Sequence, residues 1–172
     1  MLEAIRIGLL VVALTASGLT DLFQRKIYNY VTLPAIGIGL GLAAGDWVFT
    51  ERLEFLLMPA ISMGLALIVF GLPCWLGWMG AGDLKLMLAV GALQGPPLNS
   101  SFMIQAIYNT ALIGALMALG ILIWRGQLLK GLGSSLRWVV RPKSQAGQEL
   151  GSLPYGVAIA LGSLWSLRGL WF

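Results

Sequence analysis

Apolar runs close to twenty residues long, separated by short polar stretches, leave this sequence few folds to choose from. A helix of about 20 apolar residues crosses the roughly 30 Å of hydrocarbon in a bilayer. The runs are Leu2 to Thr20, Tyr30 to about Ala44, Leu53 to about Trp75, Leu84 to Leu93, Phe102 to Trp124 and Leu153 to Leu167. Of the 172 residues 58% are hydrophobic and 10% charged, and the mean hydropathy is +0.86. A water-soluble domain could not hide that much apolar surface, so lipid must solvate it. The reading is an all-α integral membrane protein, a bundle of about six transmembrane helices forming one membrane-embedded domain over residues 1–172.

The fourth run is the exception. Ten residues rise about 15 Å, half of what a crossing needs. Either the span lengthens through Trp75 or Pro97, or it is a broken span completed by irregular chain from the glycine segment Gly77 to Gly82. Irregular backbone at membrane depth is tolerated only where protein or a watery cavity satisfies it, which hints at a site. With six spans, Arg25, Lys26, Lys85, Arg125, Lys130, Arg137, Arg141 and Lys143 fall on one side, and Arg6, Arg52 and Arg168 on the other. Eight basic residues against three assign the first side to the cytoplasm. Residues 125–151 form a basic cytoplasmic loop, for which anionic lipid is the expected partner. A cleavable signal peptide ending at Thr15-Ala16-Ser17-Gly18 competes for the first run, but Glu3 spoils its basic start.

Residue counts narrow the chemistry. There is no histidine, so HExxH metalloprotease and Ser-His or Cys-His mechanisms are out. The single cysteine, Cys74, offers neither a disulfide nor a CxxC metal or redox pair, and no metal or cofactor is expected. The formal charge of +4 sits between apolar runs, where membrane topology explains it without nucleic acid. Hydrolysis is left to carboxylates or to a Ser-Lys pair, and the carboxylates number seven.

Asp46, Glu51 and Glu54 read as a solvated turn between the second and third runs, Glu3 as a terminal charge and Glu149 as part of the basic loop. Asp21 and Asp83 remain, both at the membrane boundary on the same side. An aspartate inside a membrane bundle is costly and calls for a reason. Taken singly, each has an ordinary one: a cap or an ion pair with Arg25 or Lys26 for Asp21, a helix N-cap for Asp83, and close packing for Gly80 and Gly82. Taken together, two close carboxylates share one proton. One can then activate water while its protonated partner polarises a carbonyl.

Two segments carry a resemblance. Gly80-Ala81-Gly82-Asp83 is a GxGD motif, and Asp21-Leu22-Phe23-Gln24-Arg25-Lys26-Ile27-Tyr28-Asn29 resembles the D-x-x-x-R-x-I-P-N segment of type IV prepilin peptidases. The resemblance covers nearly the whole chain. It implies that Asp21 and Asp83 are catalytic, and Arg25, Asn29, Gly80, Gly82 and Lys85 match the supporting motif positions. Tyr28 departs from the usual proline. Leu153-Pro154-Tyr155-Gly156 resembles a Pro-aromatic-Gly element near the family's last helix, and no catalytic role is assigned to it.

The family further implies removal of a short leader from a prepilin whose apolar helix lies in the bacterial inner membrane, with the active site facing the cytoplasm. The two CxxC pairs of longer, methylating members are missing here. The chain is similar instead to the short peptidases of Tad/Flp pilus systems, for which N-methylation is not expected. Two other classes compete: an ion-coupled transporter, in which intramembrane aspartates hold protons or cations, and a noncatalytic scaffold for pilus assembly.

Overall fold

The computed structural model describes residues 2–95, 100–124 and 155–170. These form six α-helices: α1 (Leu2–Gln24), α2 (Asn29–Thr50), α3 (Glu54–Trp75), α4 (Ala81–Ala92), α5 (Ser100–Trp124) and α6 (Tyr155–Ser166), the last running into a 3-10 turn at Leu167–Leu170. No strand occurs among the described residues. The basic loop at 125–151 lies outside them.

Helix lengths sort the bundle into two classes. Segments of 21 to 22 residues in α1, α2, α3 and α5 are long and apolar enough to cross a membrane. The helices α4 and α6 have 12 residues each, or about 18 Å of rise. The fourth run therefore stays short rather than extending into its neighbours. At the end of α3 the N–H of Gly77 donates to Cys74 O at 3.0 Å and that of Trp78 to Pro73 O at 2.9 Å. Gly77 turns the chain at φ 77°, a left-handed conformation that glycine adopts without steric penalty.

The two short helices are the interior. The α4 helix packs on α2 and α3, whereas α6 lies between α1 and α5 and also reaches α4. Leu86, Met87, Ala89 and Val90 of α4 and Ala158, Ile159 and Ala160 of α6 are buried, with Leu10 and Leu14 of α1 and Phe102, Met103 and Ala106 of α5 around them. Only 22–33% of each long apolar segment is buried. The rest, including Val12, Phe49, Ile68 and Leu116, is the surface that lipid covers. Lipid tails are as apolar as leucine, so tight fit rather than escape from water holds such helices together. A Cβ on Gly91 of α4 would lie 2.9 Å from the Met63 nitrogen of α3, and one on Gly162 of α6 would lie 2.5 Å from the Thr110 nitrogen of α5. Side chains there would wedge both pairs apart.

Two boundaries differ from the sequence reading. The first helix continues past Thr20 to Gln24, so Asp21 is a helical residue. The second runs on to Thr50, where Glu51 closes it in a left-handed conformation with its N–H on Trp47 O. Asp46 consequently belongs to α2 and not to a solvated turn. Its side chain is 15% exposed and pairs at 2.6 Å with Arg6, which is 1% exposed. The pairing holds a carboxylate inside a helix that hydropathy alone would end there.

Candidate active site

The first helix ends in a sharp reversal. Arg25 takes a left-handed conformation at φ 52°, and its N–H donates to Asp21 O at 2.9 Å. Asp21 thus occupies the last turn of α1, and the chain needs only Lys26, Ile27 and Tyr28 before α2 starts. Tyr28 precedes α2 in an extended conformation, φ −87° and ψ 137°. Its hydroxyl donates to the Gln24 side chain and its ring stacks on Tyr30 at 4.9 Å between centroids. Both contacts clamp the reversal.

Asp83 arrives from the other direction. Gly80 is the N-cap of α4, and Asp83 stands in the first turn with its Oδ2 accepting the Gly80 N–H at 3.2 Å. The carboxylate therefore satisfies one free N–H of a helix start, half of a capping box. That is close to the capping role foreseen for it, although the cap residue itself is Gly80. The contact uses one of its two oxygens.

Ile27 sets the spacing between these pieces. A Cβ on Gly82 would meet the Ile27 Cβ at 3.0 Å, and one on Gly156 would meet the Ile27 Cδ1 at 2.8 Å. The isoleucine is wedged between the first turns of α4 and α6, which only glycines let close in. Gly156 is also the lid on Asp21: its hypothetical Cβ would be 2.8 Å from Asp21 Oδ2 and 2.9 Å from Asp21 Cβ. Asp21 is 6% exposed. The backbone N–H groups of Gly156 and Val157 interact with its carboxylate, yet its Oδ2 is buried with no well-formed hydrogen bond among the described residues.

An open pocket of about 340 Å³ results, lined by Asp21, Arg25, Lys26, Ile27, Tyr28, Asn29, Gly80, Gly82 and Asp83. The two aspartates are close enough for the charge of Asp21 to act on Asp83. Lys85, which helical geometry turns away from Asp83, is not idle: its Nζ donates to Asn29 Oδ1 at 2.9 Å and ties the start of α2 to the start of α4. All seven residues singled out from the two motifs therefore meet at one end of the bundle. Among the described residues Asp21 makes no ion pair with Arg25 or Lys26, since the one salt bridge joins Arg6 and Asp46.

Sequence reasoning missed Ile27 and left Gly156 without a role. The Pro-Tyr-Gly tripeptide was a visible signal for Gly156, and Ile27 was marked as the isoleucine of the D-x-x-x-R-x-I-P-N segment, although no role was drawn from it.

The pocket presents two carboxylates from separate helices at one end of an apolar helical bundle, groups that can act as general base and general acid in hydrolysis. The model of Peptidase_A24, described as the type IV leader peptidase family, matches residues 8–134. Comparison with curated proteins and with solved structures gave no match. The chain belongs to the type IV leader peptidase family, and is with it an integral membrane protease of the prepilin-leader type.

Proposed function

We propose that Asp21 and Asp83 are the catalytic pair of an aspartic endopeptidase that removes the leader of Flp-like prepilins at the cytoplasmic face of the bacterial inner membrane. The observation that carries this reading is the shared pocket, in which carboxylates 62 positions apart in sequence line one opening. Two carboxylates in such proximity hold one proton between them. The ionised member takes a proton from water as the water attacks the scissile carbonyl, and the protonated member donates to the carbonyl oxygen. The tetrahedral diol then collapses, its nitrogen leaving with a proton returned from the pair. No covalent enzyme intermediate forms.

A prepilin with a short leader and an apolar helix would be held by lipid at a fixed depth, its scissile bond level with the pocket; restricting the reactants in this way is a large part of what a protease needs. Arg25, through its left-handed turn, Gly80, through its N–H on Asp83, Gly82, through its fit against Ile27, and Asn29 and Lys85, through their bond between α2 and α4, support the pair without acting on substrate. The whole chain acts as one peptidase domain. Anionic lipid is the partner that suits the charge of its basic segment 125–151, and methylation of the new N-terminus is not part of its activity.

The test is cleavage of a purified Flp-type prepilin by the protein in detergent, followed by mass spectrometry. Wild type releases the leader, whereas Asp21→Asn and Asp83→Asn insert and fold but leave the precursor whole. Normal cleavage by either variant would refute the assignment.

A further inference from the structure

At the far end of the bundle lies a second polar cluster that the proposed chemistry does not use. Arg6 of α1 is buried. Its Nη2 donates to Asp46 of α2 at 2.6 Å, and its Nη1 donates to the backbone carbonyl of Gln94 at 3.2 Å. Gln94 directly follows the C-terminal end of α4, and its side chain bonds to the Ser62 hydroxyl of α3. A Cβ on Gly95 would lie 2.6 Å from Arg6 Nη1, so the guanidinium is pressed against the chain leaving α4. Gly39 of α2 abuts the same end, where a Cβ would stand 2.6 Å from the Ala92 carbonyl. Charged groups inside a bundle are costly unless paired, and chain leaving a helix at membrane depth needs partners for its carbonyls. Arg6 is paired by Asp46 and supplies a donor to one such carbonyl, that of Gln94.

Besides bonding to α2, Arg6 links α1 to the end of α4, and these are the two helices that carry the aspartates. Arg6 and Asp21 stand at opposite ends of α1, about 22 Å apart by helical rise, and Asp83 and Gln94 stand at opposite ends of the α4 segment. Along their lengths α1 and α4 share little direct packing, because α2 and α6 lie against both. We propose that Arg6, braced by Asp46, is a positioning residue that fixes how far α4 is advanced along α1 and hence how Asp83 meets Asp21. This rests on the reading of those aspartates as the catalytic pair. A guanidinium suits the task, since its planar fork addresses two acceptors at once in fixed geometry.

The test replaces the cluster by apolar side chains, Arg6→Leu with Asp46→Leu, a change that removes both charges together and leaves neither unpaired. The full chain is assayed on a purified Flp-type prepilin, with kcat calculated per folded molecule. In parallel, spin labels at exposed Phe23 and Trp78, placed by cysteine substitution in a Cys74→Ser background, report the distance from the end of α1 to the turn that leads into α4 independently of any activity. Expected are a fall in kcat of about tenfold to a hundredfold, KM within about twofold, a pH profile whose two limbs draw together as the carboxylates decouple, and a broadened label distance. Arg6→Lys, which keeps a cation beside Asp46 but lacks the fork, should restore part of kcat and of the profile. Should the double variant not fold, Arg6→Lys is read alone against wild type by the same measures. An unchanged kcat, pH profile and label distance, or a loss traced wholly to less folded protein, would overturn the proposal. Cleavage by Asp21→Asn or Asp83→Asn would instead sink the catalytic reading, and the label distance would still report whether Arg6 sets the helix offset.

Discussion

Gly156 lies so close to Asp21 that a Cβ on the glycine would stand 2.8 Å from the carboxylate oxygen Oδ2. Neither partner can yield easily: the glycine is in the first turn of a buried helix, and the aspartate is in the last turn of another. Gly156→Ala should push the carboxylate aside by a fraction of an ångström to an ångström and lower kcat/KM by about a hundredfold, the cost of misplacing a reacting group. Prepilin cleavage kinetics, with membrane insertion and melting checked alongside, measure this. A variant as active as wild type would show that the contact is dispensable.

The glycines of the GxGD motif should differ in what they tolerate. A Cβ on Gly82 meets the Ile27 Cβ, next to its backbone, at 3.0 Å, whereas one on Gly80 meets the movable end of the Asp83 side chain at 3.3 Å. Gly82→Ala is therefore expected to destabilise by about 1–3 kcal/mol, the usual range for overpacking. Gly80→Ala, whose φ of −72° suits alanine, should cost a few tenths of a kcal/mol as a cap change. Melting of the two variants in one detergent decides it.

Lys85 and Asn29 should act as a pair. Their hydrogen bond is solvent-exposed, so a double-mutant cycle of Lys85→Met and Asn29→Ala is expected to give a coupling of only about 0.5–1 kcal/mol. Activity should fall a few-fold in each single variant and no further in the double. Independent, additive losses would mean that the two side chains serve different ends.

Tyr28 stands where the D-x-x-x-R-x-I-P-N segment it resembles has proline, and its backbone at φ −87° and ψ 137° is within reach of a proline ring. Tyr28→Pro should retain cleavage within about threefold even though the contacts to Gln24 and Tyr30 are lost. Tyr28→Gly, which removes both the ring and the restriction on the backbone, should lose more. The ratio of the two rates is the measurement.

Much of this architecture is written in hydropathy alone, because a membrane helix must be apolar over its whole length. The runs from Leu2, Tyr30, Leu53 and Phe102 all became long helices, and the shortness of the fourth run was plain from its ten residues. That Asp21 and Asp83 share one side was legible from the order of the apolar runs, and their motifs sharpened this into a pair. Contacts between remote residues were not legible at all. Gly45 and Asp46 look like a stop signal until Arg6, 40 positions earlier, is seen to neutralise the aspartate. Ile27 matches a motif position but has no visible task until Gly82 and Gly156 are found against it. In each case the information lies in which helices become neighbours, and a pattern along one helix does not carry it.

The stretch of α1 from Arg6 to Asp21 behaves as a molecular ruler. One residue inserted between them would advance the aspartate by about 1.5 Å and swing it through about 100°, so that it faced lipid instead of the opening. Length variation among chains built this way must then be confined to segments beyond the two marks. The stretch from Arg125 to Gly151 lies beyond both marks.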